Sequence, residues 1–174
     1  MRRSLFLLSL ITAGLLAGCQ STPPIQTVDH VDLERYMGDW YVIANIPTFL
    51  ERDAHNAVER YSLNNDGTID TVFTFRKGSF DGDEKRYNPT GFVRSENNAE
   101  WGMQFIWPIK AEFLVIWLDE DYTQTVIGRS KRDYVWIMAR EPEMADEDLQ
   151  EIIAFLDEQG YDTSEIQMVP QEWD

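Results

Sequence analysis

Few side chains in this sequence are equipped for covalent chemistry. The only thiol is Cys19, which follows Leu16–Ala17–Gly18, and the only imidazoles are His30 and His55. An enzyme needs a nucleophile, a base or a metal in a converging constellation. No Gly-x-Ser-x-Gly elbow occurs, His30 lies in the N-terminal region, and His55 lies in a predicted loop. The carboxylates gather in turns and on the wet face of one helix, where a solvated role suffices. Asn64–Asn65–Asp66–Gly67 looks like the middle of a calcium loop. Its frame, however, puts Ser62 first and Phe73 twelfth, where an aspartate and a bidentate glutamate belong. The expectation is a non-enzyme with no metal and no cofactor. What the chain does carry in quantity is aromatic and aliphatic side chains at alternate positions, suited to keeping water away from a bound apolar molecule.

The N-terminus reads as an address. Arg2 and Arg3 precede an apolar run from Leu5 to Leu16, too short to span a bilayer as a permanent helix. Leu16–Ala17–Gly18–Cys19 resembles the bacterial lipobox, which implies removal of residues 1–18 and lipidation of Cys19 as the first mature residue. Gln20, in place of an aspartate, points through the same resemblance to the outer membrane, on its periplasmic side. Residues 19–30, with Pro23 and Pro24, form the acylated tether. Removing residues 1–18 of 174 leaves 156, enough for one domain with a sizeable core. With Arg2 and Arg3 gone, the formal charge moves from −16 to −18. Such a balance argues against nucleic acid and against electrostatic attraction to anionic lipid heads. The single cysteine excludes an internal disulfide, so burial alone must stabilise the fold.

The elements begin at Gly38–Asp39–Trp40–Tyr41–Val42–Ile43–Ala44–Asn45–Ile46–Pro47. Period two puts Trp40, Val42, Ala44 and Ile46 on one side of this strand. Leu33, Tyr36 and Met37, at helical spacing just before it, predict a helical turn covering one end. Strands follow over 57–63, 68–76, 85–94, 100–107, 112–118, 123–128 and 134–140, separated by turn-forming clusters such as 64–67, 95–98, 108–111 and 119–122. Pro89 marks a bulge or an edge. Leu149, Ile152, Ile153 and Leu156 then form one apolar helical stripe, ended by Gly160. A ninth short strand is predicted over 163–169. Eight strands at spacings of about ten residues with tight turns are the signature of an all-β antiparallel barrel or sandwich.

That layout resembles the lipocalins, and three motifs carry the resemblance. Gly38-x-Trp40-Tyr41 looks like the family's first signature. Asp121–Tyr122–Thr123, approached through Asp119, looks like the second. Arg140, closing Tyr134–Val–Trp–Ile–Met–Ala–Arg140, looks like the third. The resemblance implies an all-β fold, an eight-stranded antiparallel up-and-down barrel with one C-terminal helix packed outside, with the Arg140 guanidinium across the Trp40 indole at its closed end and residues 31–174 as the domain. With the lipobox in front it narrows to the bacterial outer-membrane lipoprotein lipocalins, which are similar to apolipoprotein D.

The resemblance implies binding of a fatty acid or lysophospholipid, for lipid storage or transport in membrane maintenance. Val42, Ala44, Ile46, Phe73, Phe75, Met103, Phe105, Val115 and Trp136 are the candidate cavity lining. Phe49 and Leu50 at a loop tip either meet an acyl chain or membrane, or tuck beneath the loop. Arg76 and Lys77 either meet a head group or form a solvated surface pair. The expected partners are thus the lipid ligand and the membrane reached through the N-terminal acyl chains, with pairing of two barrels left open. The alternative is a tethered interaction lipoprotein whose filled barrel docks a protein partner.

Overall fold

The regular alternation builds one antiparallel sheet that closes on itself. In the computed structural model, residues 23–173 are described; the signal segment 1–18, Cys19 and Gln20 lie outside them. The order is α1 (Leu33–Tyr36), β1 (Gly38–Ile46), β2 (Ala54–Leu63), β3 (Thr68–Lys77), β4 (Glu84–Tyr87), β5 (Thr90–Val93), β6 (Glu100–Ile106), β7 (Ile109–Leu118), β8 (Gln124–Gly128), β9 (Val135–Ala139), α2 (Asp146–Glu158) and β10 (Gln167–Met168). Neighbours pair in the order β1-β2-β3-β5-β6-β7-β8-β9, and β9 returns to β1. Both β4 and β5 pair with β3, so they are halves of one wall, parted at Asn88–Pro89. A proline has no N–H to give the ladder there. The result is an eight-walled barrel with the helix outside.

The turns divide the barrel into two ends. The N-terminal end of β1, α1 and the turns 64–67, 95–98 and 119–122 lie at the closed end. Loops 47–53, 78–83 and 129–134 and the tip Trp107–Pro108 lie at the other, the mouth. Trp107 and Pro108 alone make that tip, because Ile106 already pairs with Ile109. The expected turn over 108–111 is therefore shorter, and β7 begins earlier. The expected last strand over 163–169 is also shorter: Thr163–Glu165 is a 3-10 turn, and only Gln167 and Met168 pair with β1.

Two apolar layers sandwich the wall. Inside, Trp40, Val42, Tyr61, Ile69, Phe73, Phe75, Trp101, Phe113, Val115 and Met138 share one cluster. Outside, Leu149, Ile152 and Leu156 of α2 pack on Ala44, Ile46, Leu114, Ile116, Val126, Val135 and Ile137. The expectation that Ala44 and Ile46 line the interior is thereby corrected. The β1–β9 register shifts between Val42 and Ala44, and such a bulge turns every later side chain to the opposite face. Below it Trp40 and Val42 point in; above it Ala44 and Ile46 lie under the helix.

Arg140 closes the bottom. Its guanidinium lies 3.8 Å over the Trp40 ring. Nη2 donates to the carbonyls of Arg35 (2.8 Å) and Tyr36 (3.1 Å), Nη1 to that of Asp39 (2.8 Å), and Nε to that of Tyr122 (3.2 Å). One side chain thus satisfies the last carbonyls of α1, the start of β1 and the β7–β8 turn. Gly38 sits beneath it at φ +100°, where a Cβ would approach Nη1 to 3.2 Å. In the turn, Asp119 accepts from Thr123 N, Thr123 Oγ1 and Gln124 N (2.7–2.8 Å), while Asp121 is exposed. The carboxylate that holds this turn is therefore Asp119, with Tyr122 at φ +61° accepting on its hydroxyl from Asp32 N. Replacing Arg140 by Met keeps the bulk over the indole and removes all four hydrogen bonds. Urea unfolding should show a loss of about 3 kcal/mol; unchanged stability would contradict this account of the closure.

Candidate ligand-binding cavity

The lower half of the barrel is solid. Tyr36, Trp40, Tyr61, Trp101 and Phe113 are all buried, with Trp101 stacked on Phe113 at 4.8 Å and tilted 7°. Tyr36 meets Trp40 at 5.0 Å and Trp101 edge-on at 5.4 Å, and Tyr61 meets Trp101 edge-on at 5.6 Å. These are favourable aromatic geometries. Trp40 Nε1 donates to the Tyr36 carbonyl and Trp101 Nε1 to the Asn98 carbonyl, so neither indole N–H is stranded. The plug stops partway up.

Above it a cavity of about 220 Å³ opens to the mouth. Phe73, Tyr87, Met103, Phe105, Phe113 and Trp136 form its apolar wall, and Thr48 to Glu51 fold across from the first mouth loop. Of the residues expected as lining, Phe73, Met103, Phe105 and Trp136 border this space. Val42, Phe75 and Val115 face the interior cluster but do not border the cavity. Phe75 is packed with Phe73 and Tyr87, at 5.3 and 6.2 Å. Arg76 reaches Glu84 at 3.7 Å with both side chains exposed, and Lys77 Nζ donates to the Arg52 carbonyl, so these two cations serve the rim.

Three carboxylates line this space, and sequence reasoning passed over all of them: Glu112, which accepts from Ser130 N and Oγ, Glu51 and Glu59. Glu59 stands on the β2 face shared with Ala57 and Tyr61, both buried, and that period-two slot was the available signal. Its carboxylate accepts from the Tyr61 hydroxyl, where the plug meets the cavity. Burial raises its pKa from 4.5 to about 7, with the Glu51 charge adding to the rise and the Tyr61 bond opposing it. Glu51 is itself buried and raised by desolvation. It accepts from Trp136 Nε1 (2.9 Å) and Thr48 N (3.4 Å), which pins the first mouth loop to β9. Thr71 Oγ1 and Arg129 Nε, both on cavity-lining residues, are buried with no protein partner. A ligand with polar atoms at two heights would find donors and acceptors waiting.

The imidazoles are far from this space in role. His30 is exposed, and His55 packs edge-on against Phe80 at 4.9 Å. Among the described residues, no three His, Cys, Asp or Glu side chains converge as a metal site.

Known proteins share this architecture. The family model described as a lipocalin-like domain matches residues 31–171. The outer membrane lipoprotein Blc of Escherichia coli is 32% identical, over 97% of this chain and 98% of its own. Temperature-induced lipocalin-1 of Arabidopsis thaliana is 30% identical, over 84% of this chain and 83% of its own. Among solved structures, insecticyanin of the tobacco hornworm Manduca sexta aligns over 88% of this chain and 87% of its own, with a TM-score of 0.69 at 12% identity.

Glu59 makes stability depend on pH. The folded chain keeps this proton up to about pH 7, whereas the unfolded chain releases it near 4.5. Between those values the folded state binds more protons, so stability falls as pH rises through the window. Glu59→Gln should therefore stabilise the protein at pH 8 by up to about 3 kcal/mol and by much less at pH 5. Paired urea titrations read this difference; an equal effect at both pH values would contradict it.

Proposed function

The chain belongs to the lipocalin family, and from that premise we propose that it binds a single lipid whose apolar tail occupies the cavity, anchored at the outer membrane through acylated Cys19. The observation that carries the reading is the half-filled barrel. Its floor is sealed by aromatics, and a mostly apolar space above is bordered by residues of the mouth loops. A volume of about 220 Å³ is below the usual range for a small-molecule pocket, roughly 300–1,000 Å³. It suits a stretch of acyl chain and leaves the head group at the rim.

Polarity within the cavity supports the same orientation. The tail end meets Glu59, which is compatible with hydrocarbon when protonated and costly beside it when ionised. The head group lies nearer the mouth loop of Arg129, where an ester, carboxylate or phosphate oxygen would satisfy the free Nε. A fatty acid or a lysophospholipid meets both requirements, and storage or transport for membrane maintenance is the service this equips the protein to give. Relatives named as outer membrane lipoproteins support the location, and the periplasmic face rests on the lipobox resemblance with Gln20 after the cysteine.

Titrating the mature chain with monomeric lysophosphatidylethanolamine and following tryptophan emission tests the reading, because Trp136 borders the cavity. Saturable one-to-one uptake is expected, weakening several-fold between pH 6 and pH 8. Glu59→Gln should abolish that pH dependence, and Trp136→Phe should remove most of the signal change. No uptake of this or any fatty acid at micromolar concentration would favour a protein-docking lipoprotein instead.

A further inference from the structure

Water-facing turns in this chain carry polar residues: Asn64–Asn65–Asp66–Gly67, Ser95–Glu96–Asn97–Asn98 and Asp119–Glu120–Asp121–Tyr122. The β6–β7 tip is the exception. Phe105, Ile106, Trp107, Pro108 and Ile109 run without a polar side chain. Ile106 is 72% exposed, Trp107 82% and Ile109 69%. Nothing in the fold requires this, since a two-residue hairpin tip is ordinarily filled by Asn, Asp or Gly. Phe49, 73% exposed in the first mouth loop, borders the same cavity as Phe105. Exposed apolar side chains therefore stand at the mouth from two of its segments, the first mouth loop and the β6–β7 tip.

A second, independent observation says what faces them. The chain enters the described structure at Pro23, and Arg132 Nη2 donates to the Pro23 carbonyl at 2.7 Å. Arg132 lies in the mouth loop 129–134, with its Nε given to the Gln159 carbonyl at the end of α2. From there the segment runs toward the closed end, Val28 N donating to Val115 O and Val31 N to Asn97 O. The tether thus leaves the domain at the mouth. Cys19 is four residues beyond Pro23, a reach of at most about 14 Å.

We propose that the mouth docks on the bilayer that holds the tether, with the Ile106–Trp107–Pro108–Ile109 tip entering the lipid interface. A tryptophan flanked by isoleucines is suited to that depth, where the indole N–H stays wet and its rings do not. The mature chain's formal charge of −18 leaves burial of apolar surface, and not attraction to anionic heads, as the force that seats it. The cavity then opens onto the lipids, and a tail can slide between bilayer and barrel without crossing water. The geometry does not depend on the lipid-binding reading, although its use does.

The test uses the mature chain with Cys19→Ala, unacylated, and phosphatidylethanolamine–phosphatidylglycerol vesicles. Flotation should show partitioning little affected by salt, reduced at least tenfold by Ile106→Ser with Trp107→Ser. Uptake of monomeric lysophosphatidylethanolamine should survive in that variant, so loss of docking and loss of ligand binding are read separately. For the acylated protein in the same vesicles, brominated lipid should quench Trp107, measured as the difference from Trp107→Phe. The proposal is overturned if partitioning is independent of the tip, or if Trp107 of the acylated protein escapes quenching. It is also overturned if sedimentation shows a mouth-to-mouth dimer that the serine variant dissolves, which would make the tip an interface between two copies.

Discussion

The fold depends on one guanidinium. A barrel wall can close only if the first and last strands meet and the chain ends leaving them are held. Arg140 does both from the last residues of the wall, by lying on Trp40 and capping carbonyls from α1, β1 and the β7–β8 turn. The aromatic plug rests directly on that contact, Tyr36 and Trp40 forming its lowest layer. With no disulfide available to the chain, closure is a matter of packing and charge-assisted hydrogen bonds alone.

Sealing the bottom with five large rings has a consequence higher up. An eight-stranded barrel has room either for side chains or for one small ligand, and this one is divided between the two. The lower half is filled; the upper half is left to Phe73, Met103, Trp136 and the carboxylates of Glu51, Glu59 and Glu112. Glu59 sits on the boundary, bonded to the plug through Tyr61 and exposed to the cavity on its other side. An acid in that place costs stability when ionised, a cost with no structural return in the closure. Its position and its shifted titration belong together with the cavity.

Much of this was legible in the sequence. Alternation, turn residues and the stripe on α2 specify the barrel and its outer helix, and Trp40 and Arg140 were identified through the motifs that hold them. The β-bulge after Val42 was not legible, because an extra residue in a strand leaves no mark when every neighbour is apolar; Ala44 and Ile46 consequently face the helix. Which acid of the second motif holds its turn was also not legible. Asp119 and Asp121 share a polar turn, and only the backbone path decides which one receives the N–H groups. Glu59 was legible, as an acid between Ala57 and Tyr61 on the period-two face of β2, and was passed over. The greasy hairpin tip was read as a strand ending at Trp107 and a turn over 108–111, and its exposure became visible only once the register fixed Ile106 opposite Ile109.

The central claim is a lipid tail held above the aromatic plug and below the mouth. A crystal structure of the mature chain with a lysophospholipid brominated at its tail terminus tests this most directly. The anomalous peak should lie between Met103, Trp136 and Glu59, with the glycerophosphate end outside the barrel. A bromine found among Tyr36, Trp40 and Trp101, or on the outer surface of the wall, would contradict the account.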